Sequence, residues 1–341
     1  MLRIAYIGNG KSTNRYHAPF AQKVEKIQIK KNYARSEPTW DKLKGVEYVS
    51  DINSIWTDEE IELVVISTPP MSHYQFAKEA LLSGKNVLVE KPFCETTEEA
   101  LELFALAEKS NLMLQCYQNR RFDSDFLTVQ KVIESGVLGD ILEVEMHFDY
   151  FRPEVPLNTH HFSKLDGFFY SHACHTLDQV LSYFGKPLNT TYDVRQLLGE
   201  NRLNDYFDLD LFYKEGLKIS VKSSYFRIKE RPSFVVYGTK GCFVKQTKDR
   251  QEEHLKLFHM PTNSDFGVDL PEHYGVLTYM DDEGRYHEEK VVSEIGDYSR
   301  FYEALYQTIK HGAPQLVTKE QTITQIEMLN EGIAQMNQNI K

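Results

Sequence analysis

The chain has 341 residues, a length that suggests two domains, and its 41% hydrophobic and 26% charged residues are typical of globular proteins. Its formal net charge of −11, with no Lys/Arg block interleaved with aromatic residues, argues against nucleic-acid and anionic-lipid partners. No apolar run approaches the roughly 20 residues that span a bilayer, so we expect no membrane partner. No targeting segment precedes the first strand, and the four cysteines show no C-x-x-C spacing. We therefore expect a cytoplasmic protein.

Strand and helix signals alternate over the first 120 residues. Helical periodicity is present at His73–Ser83 and Thr97–Ser110, and Thr96 and Glu99 form a capping-box pattern before the second of these helices. Strands that alternate with helices predict βαβ units and a doubly wound parallel sheet, an α/β domain over residues 1–121. The predicted strands are Leu2–Ile7, Ile27–Lys31, Leu63–Ser67, Asn86–Glu90 and Leu112–Tyr117.

The pattern changes in residues 122–341. Helices are predicted at Asp123–Ser135 and Ser171–Phe184, and two more follow Asp297 and Thr318. Clustered strands with flanking helices predict an α+β domain built on a large, mainly antiparallel, open sheet. The predicted strands are Ile141–Phe151, Tyr206–Tyr213, Lys218–Phe226, Phe234–Tyr237 and His287–Val292.

A glycine-rich loop follows the first predicted strand. The run Gly8-Asn9-Gly10-Lys11-Ser12-Thr13 matches the dinucleotide fingerprint G-x-G-x-x-G at its first two glycines, whereas Thr13 takes the place of the third. The first two glycines allow a tight turn and a close approach of the backbone to a pyrophosphate, so the loop indicates NAD(P) binding. Two alternatives stay open: a purely structural turn, and a Walker A loop, although that motif has glycine where this chain has Ala5.

The preferred cofactor depends on the end of the second predicted strand, where a carboxylate would bind the ribose diol of NAD. The run Lys30–Ser36 contains no acidic residue, and Lys31, Arg35 and Ser36 could hold the 2′-phosphate of NADP. The alternative is that these are solvated surface groups. We therefore expect NADP as the favoured cofactor, with NAD as the alternative.

Four further segments give the chain a resemblance to a known family. They are Thr68-Pro69-Pro70-x-x-His73, Gly84–Pro92 with its Glu90-Lys91-Pro92 element, Asn119–Phe122 and His175-x-x-Asp178. In order and spacing they resemble the Gfo/Idh/MocA oxidoreductases, the family of glucose–fructose oxidoreductase and inositol dehydrogenase. The resemblance implies a Rossmann domain, a substrate-binding domain, and NAD(P)-dependent oxidation of a sugar, inositol or related polyol hydroxyl, or the reverse reduction. Residues 118–156 look most similar to the scyllo-inositol dehydrogenases of that family.

The resemblance also implies two catalytic residues, Lys91 beside the nicotinamide and substrate and His175 as proton acceptor. A base with a pKa near neutral and a nearby ammonium suit this chemistry, because the hydroxyl proton must leave and charge develops on oxygen. The candidate cofactor contacts are Gly8, Asn9, Gly10, Ser12, Thr13, Arg35, Ser36, Thr68, Pro69, His73, Glu90, Lys91 and Asn119. The candidate substrate contacts are Lys91, Arg121, Tyr150, Arg152, His160, His172 and His175.

The helix around His175 carries one difference from the family pattern. His175 lies outside the apolar stripe of that helix, so it lines a cleft or is exposed, and the resemblance favours the cleft. Asp178 could orient the histidine ring or tie down the helix. The family often has Asp four residues before the histidine, where this chain has Ser171. This difference puts the usual proton relay in doubt: either His172 takes its place or the substrate differs from an inositol.

Two other functions stay open at this point. The densest His/Cys cluster lacks the H-E-x-x-H spacing of metalloprotease helices, so we expect no metal, and a metal-dependent hydrolase is the alternative. A cofactor-binding sensor with the same fold and no turnover is the other. The cluster consists of His160, His161, His172, Cys174 and His175.

The sheet of the second predicted domain also bears on assembly. A long, uncovered sheet is seldom left bare, and the resembled family typically forms dimers or tetramers through it. We therefore expect a homodimer or homotetramer.

Overall fold

The computed structural model describes residues 1–35 and 39–338, and the chain divides into two compact units. The first unit contains residues 1–119, 255–264 and 298–326, and the second contains residues 120–254, 265–297 and those from 327 onward. The sequence prediction places the boundary after residue 121 and assigns all later residues to the second domain. Residues 255–264 and 298–326 instead pack within the first unit, because a linear pattern of elements does not indicate which core a returning segment joins.

The first unit is built on a six-stranded parallel sheet of order β3-β2-β1-β4-β5-β6. The predicted α/β fold with a parallel sheet is confirmed. β3 was not predicted, because a strand of three residues is too short to show an apolar pattern. The strands are β1 Leu2–Ile7, β2 Ile27–Tyr33, β3 Glu47–Val49, β4 Leu63–Ile66, β5 Asn86–Val89 and β6 Leu114–Cys116.

Short and long helices connect these strands. The predicted capping box is confirmed: Thr96 Oγ1 accepts from the Glu99 N–H at 3.2 Å, and the Glu99 carboxylate accepts from the Thr96 N–H at 3.3 Å. A π-helical turn, Ser12–His17, leads into the first α-helix. The helices are α1 Ala18–Ala21, α2 Asn53–Trp56, α3 His73–Leu82 and α4 Thr97–Lys109, and 3-10 turns lie at Pro70–Ser72 and Asn119–Phe122.

The rest of the chain contains a second, eight-stranded sheet of order β14-β13-β12-β11-β7-β10-β9-β8 and further helices, and the helical residues within 298–326 belong to the first unit. The elements are α5 Ser124–Glu134, β7 Ile141–His147, α6 Glu154–Asn158, a π-helical turn Phe169–Ala173, α7 Cys174–Tyr183, β8 Asn189–Arg195, β9 Tyr206–Phe212, a 3-10 turn Lys214–Gly216, β10 Lys218–Ser224, β11 Phe234–Gly238, β12 Gly241–Lys245, α8 Gln251–Lys256, a 3-10 turn Pro271–His273, β13 Gly275–Met280, β14 Tyr286–Val291, α9 Ser299–His311 and α10 Lys319–Ala334. The β7–β10 pair is parallel and the other pairs are antiparallel, so the predicted mainly antiparallel sheet is confirmed.

Three strands of this sheet were not predicted: β8, β12 and β13. β8 is rich in polar residues, and β12 and β13 each begin with a glycine, which by itself indicates a turn. Pairing with neighbouring strands holds them in the sheet. The helix predicted from Ser171 is α-helical only from Cys174, because a π-helical turn precedes it.

One face of the second sheet forms the core of its unit. Phe207, Leu209 and Leu211 of β9 are fully buried in the hydrophobic cluster that includes Leu177 and Val180 of α7. The intervening residues of β9 are polar or partly exposed and lie on the other face. In the described part of the chain, no helix combines the length and the hydrophobicity needed to cross a membrane.

Candidate functional site

The loop after β1 packs against the end of β4. Gly8 has φ of +111°, and a Cβ atom there would lie 2.8 Å from the carbonyl oxygen of Ser67, so the turn requires glycine. Thr13 is fully buried; its hydroxyl donates to the Gly8 carbonyl at 2.8 Å and lies 2.6 Å from Oγ of Ser67. In the fingerprint, the third glycine allows close packing of the helix on the strand. Thr13 stands at that position here, and its hydroxyl instead links the loop to Gly8 and Ser67 by hydrogen bonds.

A cavity of about 570 Å³ lies at the carboxyl ends of β1, β2 and β4. β1 and β4 are the neighbours between which the strand order reverses, which is where doubly wound sheets bind dinucleotides. Six predicted cofactor contacts line the cavity: Gly8, Asn9, Gly10, Arg35, Thr68 and Pro69. Seven lining residues were not predicted: Tyr33, Ala34, Thr39, Ser67, Met71, Ser72 and Phe76. Strand ends could have indicated the first two and Ser67, whereas nothing local marks Phe76 within α3.

The glycine loop leaves room for a phosphate. At Gly10, apart from its chain neighbours, no atom of the residues that the structure describes lies within 4 Å of the position that a Cβ atom would occupy. The Asn14 side chain holds the loop by donating to Asn9 Oδ1 at 3.1 Å and to the Gly10 carbonyl at 2.9 Å. This open, fixed backbone fits the pyrophosphate of NAD(P).

The two cations predicted for a 2′-phosphate have different positions. Arg35 is exposed and lines the cavity directly after Ala34, beyond the end of β2. Lys31 does not line it: its ammonium lies 2.9 Å from Asp58 Oδ2 and donates to the Ser54 carbonyl at 2.9 Å. Lys31 is therefore committed to a carboxylate and is not available for a phosphate, which corrects that part of the prediction. Ser36, the third predicted contact, lies outside the described residues.

Glu90 and His17 form a buried pair beside the cofactor loop. Glu90 accepts hydrogen bonds from the Ser12 hydroxyl and from the Lys91 N–H, and its Oε1 lies 3.1 Å from His17 Nε2. Burial by itself would raise the pKa of Glu90, but the hydrogen bond with His17 and the charges of His17 and Lys91 outweigh burial and lower this pKa to about 2. Glu90 is therefore an anion whose hydrogen bonds join the π-helical turn Ser12–His17 to Lys91. The Lys91–Pro92 peptide bond is cis.

Aromatic residues enclose His17. Its Nδ1 lies 2.7 Å from the Tyr302 hydroxyl, which lies 3.1 Å from that of Tyr6, and the Tyr117 ring lies over the imidazole at 4.0 Å. Sequence reasoning did not single out His17, because its partners are 73 and 285 positions away along the chain. The spacing of the glycine loop carries no signal for it.

Two more of the predicted cofactor contacts are buried. His73 lies between two backbone carbonyl groups, with Nδ1 at 2.8 Å from the Pro92 oxygen and Nε2 at 2.9 Å from the Thr68 oxygen. Burial lowers the pKa of His73 and outweighs the hydrogen bonds that raise it. His73 thus holds a cavity-lining loop and the Lys91–Pro92 turn in place. Asn119 is buried at the end of the first unit.

In the second unit, His175 lies in the first turn of α7 and is only 7% exposed. The exposed alternative for this residue is thus excluded. Asp178, one turn further, accepts two hydrogen bonds from Arg121: Nε to Oδ2 at 2.8 Å and Nη2 to Oδ1 at 2.7 Å. Asp178 therefore ties α7 to the 3-10 turn that contains Arg121, and both partners are buried.

Three predicted substrate contacts come together elsewhere in the second unit. The His172 ring lies 5.3 Å from the Tyr150 ring, and the Arg152 guanidinium lies 4.5 Å from the centre of Tyr150. The Ser171 hydroxyl donates to the Gly167 carbonyl, so the His172 Nδ1 donates to Ser171 across 2.9 Å. Ser171 thus orients His172, which gives a structural role to the residue that departs from the family pattern.

The two other histidines of the predicted cluster, His160 and His161, are exposed in the segment after α6. Across residues 1–35 and 39–338, no three His, Cys, Asp or Glu side chains are placed to hold a metal ion.

The strand order, glycine loop and cavity define the first unit as a dinucleotide-binding domain of the Rossmann class. Residues 2–118 match the oxidoreductase family with NAD-binding Rossmann fold, and residues 130–341 match the C-terminal alpha/beta domain of that oxidoreductase family. The chain therefore belongs to the Gfo/Idh/MocA family of oxidoreductases.

Several relatives match along nearly the whole chain. The uncharacterized oxidoreductase YhhX of Escherichia coli is 44% identical over 339 residues, with 98% of this chain and 97% of that protein covered. The scyllo-inositol 2-dehydrogenase (NADP(+)) IolW of Bacillus subtilis is 31% identical over 330 residues, with 96% and 92% covered. The crystal structure of an oxidoreductase from Bacillus cereus has a TM-score of 0.93 at 43% identity, with 98% and 96% of the chains covered.

Proposed function

We propose that this protein is an NADP-preferring dehydrogenase that oxidises a secondary hydroxyl of a sugar, inositol or related polyol, or reduces the corresponding carbonyl. The observation that supports it most is the cavity at the strand-order reversal, which six of the residues predicted to contact the cofactor line. A cofactor-binding sensor needs the same cavity, and turnover separates the two functions.

The cofactor would be held by residues of the first unit. The open backbone at Gly10 would receive the pyrophosphate, and the exposed Arg35 would bind the 2′-phosphate. The bound nicotinamide would supply the hydride acceptor or donor. The described residues directly after β2, Ala34 and Arg35, include no acidic side chain that would repel a phosphate, and Asp41 lies further along the loop.

Lys91 and His175 would act on the substrate hydroxyl. The Lys91 ammonium would stabilise negative charge as it develops on the oxygen, and His175 would accept the hydroxyl proton. The hydrogen bond from the Lys91 N–H to the Glu90 carboxylate supports a fixed backbone at this lysine. The name of the NADP-linked inositol dehydrogenase IolW, 31% identical, supports the choice of a polyol substrate.

A screen of polyols and sugars with purified protein tests this function. Reduction of NADP, followed at 340 nm, should be detected with at least one cyclic polyol or aldose and should be faster than reduction of NAD. Tight NADPH binding without turnover on a broad panel would instead support the sensor, and failure to bind either nucleotide would contradict both.

The cofactor preference is tested at Arg35. One charge-assisted hydrogen bond to the 2′-phosphate should give at least about tenfold tighter binding of NADPH than of NADH. Arg35→Asp should reverse that ratio, because a carboxylate repels the phosphate and accepts hydrogen bonds from the ribose hydroxyls. Fluorescence titration gives both dissociation constants. Lys31→Gln is the matched control, since Lys31 is bound to Asp58. An unchanged ratio in Arg35→Asp would show that the segment is wrongly assigned.

Self-association is proposed for the second sheet. Its outer face carries ion pairs between adjacent strands, such as Lys222 with Asp208, and partly exposed aromatic residues, Phe212 and Tyr237. Such a face suits a second copy of the same chain. Light scattering at micromolar concentration should give the mass of a dimer or tetramer, and a monomer mass would contradict the proposal.

A further inference from the structure

A second arginine of the first unit, Arg15, has no assigned role, and it contacts Trp40, the neighbour of the cavity-lining Thr39. Arg15 comes five residues after Gly10 and one after Asn14, whose side chain is bound to the glycine loop. Its guanidinium lies 4.6 Å from the ring centre of Phe258 and 5.5 Å from that of Trp40. Arg15 is therefore held in one place, on a segment that the glycine loop fixes.

Within residues 1–35 and 39–338, no ion pair joins Arg15 to a carboxylate, and its Nε is buried without a hydrogen-bond partner. Arginines elsewhere in the chain, such as Arg121 and Arg231, are paired with an aspartate. An oriented guanidinium without an anion is suited to an anionic ligand, and its planar fork matches phosphate.

The aromatic partners indicate which phosphate this would be. Trp40 directly follows Thr39, which lines the cavity, as does Arg35 on the same loop. This loop follows β2, and the end of β2 is the side of a Rossmann domain that meets the adenosine ribose. The Arg15 guanidinium, which contacts Trp40, is therefore expected on the side of the adenosine ribose. The pyrophosphate of the cofactor is expected at the glycine loop instead.

We propose that Arg15 binds the 2′-phosphate of NADP together with Arg35, and that Trp40 and Phe258 orient it for this purpose. The inference rests on the proposed NADP preference but not on any substrate or turnover. A cation held against two rings has lost part of its side-chain freedom before the ligand arrives, so less entropy is lost on binding.

Calorimetric titration with two nicotinamide-free probes tests this inference. Adenosine 2′,5′-bisphosphate carries the 2′-phosphate, and adenosine 5′-monophosphate lacks it. Arg15→Gln should weaken binding of the bisphosphate by about tenfold or more, the value of one charge-assisted hydrogen bond, and should change monophosphate binding by less than about twofold. Arg15→Lys should recover only part of the loss, because an ammonium lacks the planar fork.

Two further variants keep the test independent of folding. Phe258→Ala removes a 60% exposed ring and should weaken bisphosphate binding about twofold to fivefold through lost orientation. Lys26→Gln is the matched charge control, because Lys26 also lies over a ring, that of Tyr306. Lys26 directly precedes β2, so it lies at the amino ends of the strands, away from the cavity at their carboxyl ends. Lys26→Gln should leave both dissociation constants unchanged.

The outcomes separate this inference from the proposed function. Equal weakening of both probes in Arg15→Gln would assign Arg15 to the pyrophosphate side and overturn the inference, as would no weakening at all. A wild-type protein that binds both probes equally would overturn it together with the NADP preference. If the expected losses occur and no polyol is oxidised, the inference stands and the proposed activity fails.

Discussion

Replacing Lys91 or His175 with alanine is expected to lower kcat/KM by at least about 10²-fold, the lower range for loss of a proton-transfer group. In Lys91→Ala the developing charge on the substrate oxygen loses its ammonium, and in His175→Ala the hydroxyl proton loses its acceptor.

The controls for this experiment are exposed residues of the same types. Lys44→Ala and His311→Ala should retain wild-type kcat/KM, since both side chains are exposed and neither lines the cavity. Circular dichroism and NADPH titration establish that each variant is folded and binds the cofactor. Near-normal rates in a folded, cofactor-binding Lys91→Ala or His175→Ala protein would remove that residue from the mechanism.

Removing the Asp178 carboxylate is expected to lower the free energy of unfolding by about 3–5 kcal/mol, the usual cost of leaving one member of a buried ion pair without its partner. Asp178 and Arg121 are both buried and share two hydrogen bonds of 2.8 and 2.7 Å. In Asp178→Ala the Arg121 guanidinium keeps its charge in a desolvated position. Urea denaturation measures the loss.

A half-exposed ion pair supplies the comparison. Asp193 and Arg195 lie on β8 with side chains 22% and 34% exposed, so Asp193→Ala should cost at most about 1 kcal/mol. The double variant Arg121→Met, Asp178→Leu should recover most of the stability lost in Asp178→Ala, because it leaves no charge unpaired. If Asp178→Ala costs no more than Asp193→Ala, the Arg121 pair does not hold α7 in place.

The position of the cavity, and six of the thirteen described residues that line it, could be predicted from the sequence because the carboxyl ends of parallel strands lie at the same end of a sheet. The residues after β1, β2 and β4 converge there whatever lies between them, so Gly10, Arg35 and Thr68 could each be assigned from local patterns. The same local reasoning could not separate Lys31 from Arg35. Lys31 forms an ion pair with Asp58, which is distant in the sequence, whereas Arg35 lines the cavity.

The polar interior of the first unit could not be predicted for a similar reason. The pairing of His17 with Glu90 and Tyr302 joins three distant parts of the sequence, and a buried histidine has no periodic signature. Burial of the polar face of α7 was also unpredictable, because it depends on the bidentate pair between Asp178 and Arg121. Hydrophobic periodicity predicts which face of a helix is apolar. It does not predict which polar groups are buried, because their burial depends on specific hydrogen-bond partners.

The return of residues 298–326 to the first unit limits how the two halves of this enzyme can be separated or exchanged. A fragment ending at residue 119 would lack α9, so the Phe20 ring would lose Tyr298 and the Tyr6 hydroxyl would lose Tyr302. Such a fragment would leave apolar surface and buried polar groups open to water. Recombination with a homologue should therefore transfer residues 298–326 together with the first 119. A single crossover would combine residues 1–119 of one parent with α9 of the other, and these two parts pack together in one unit.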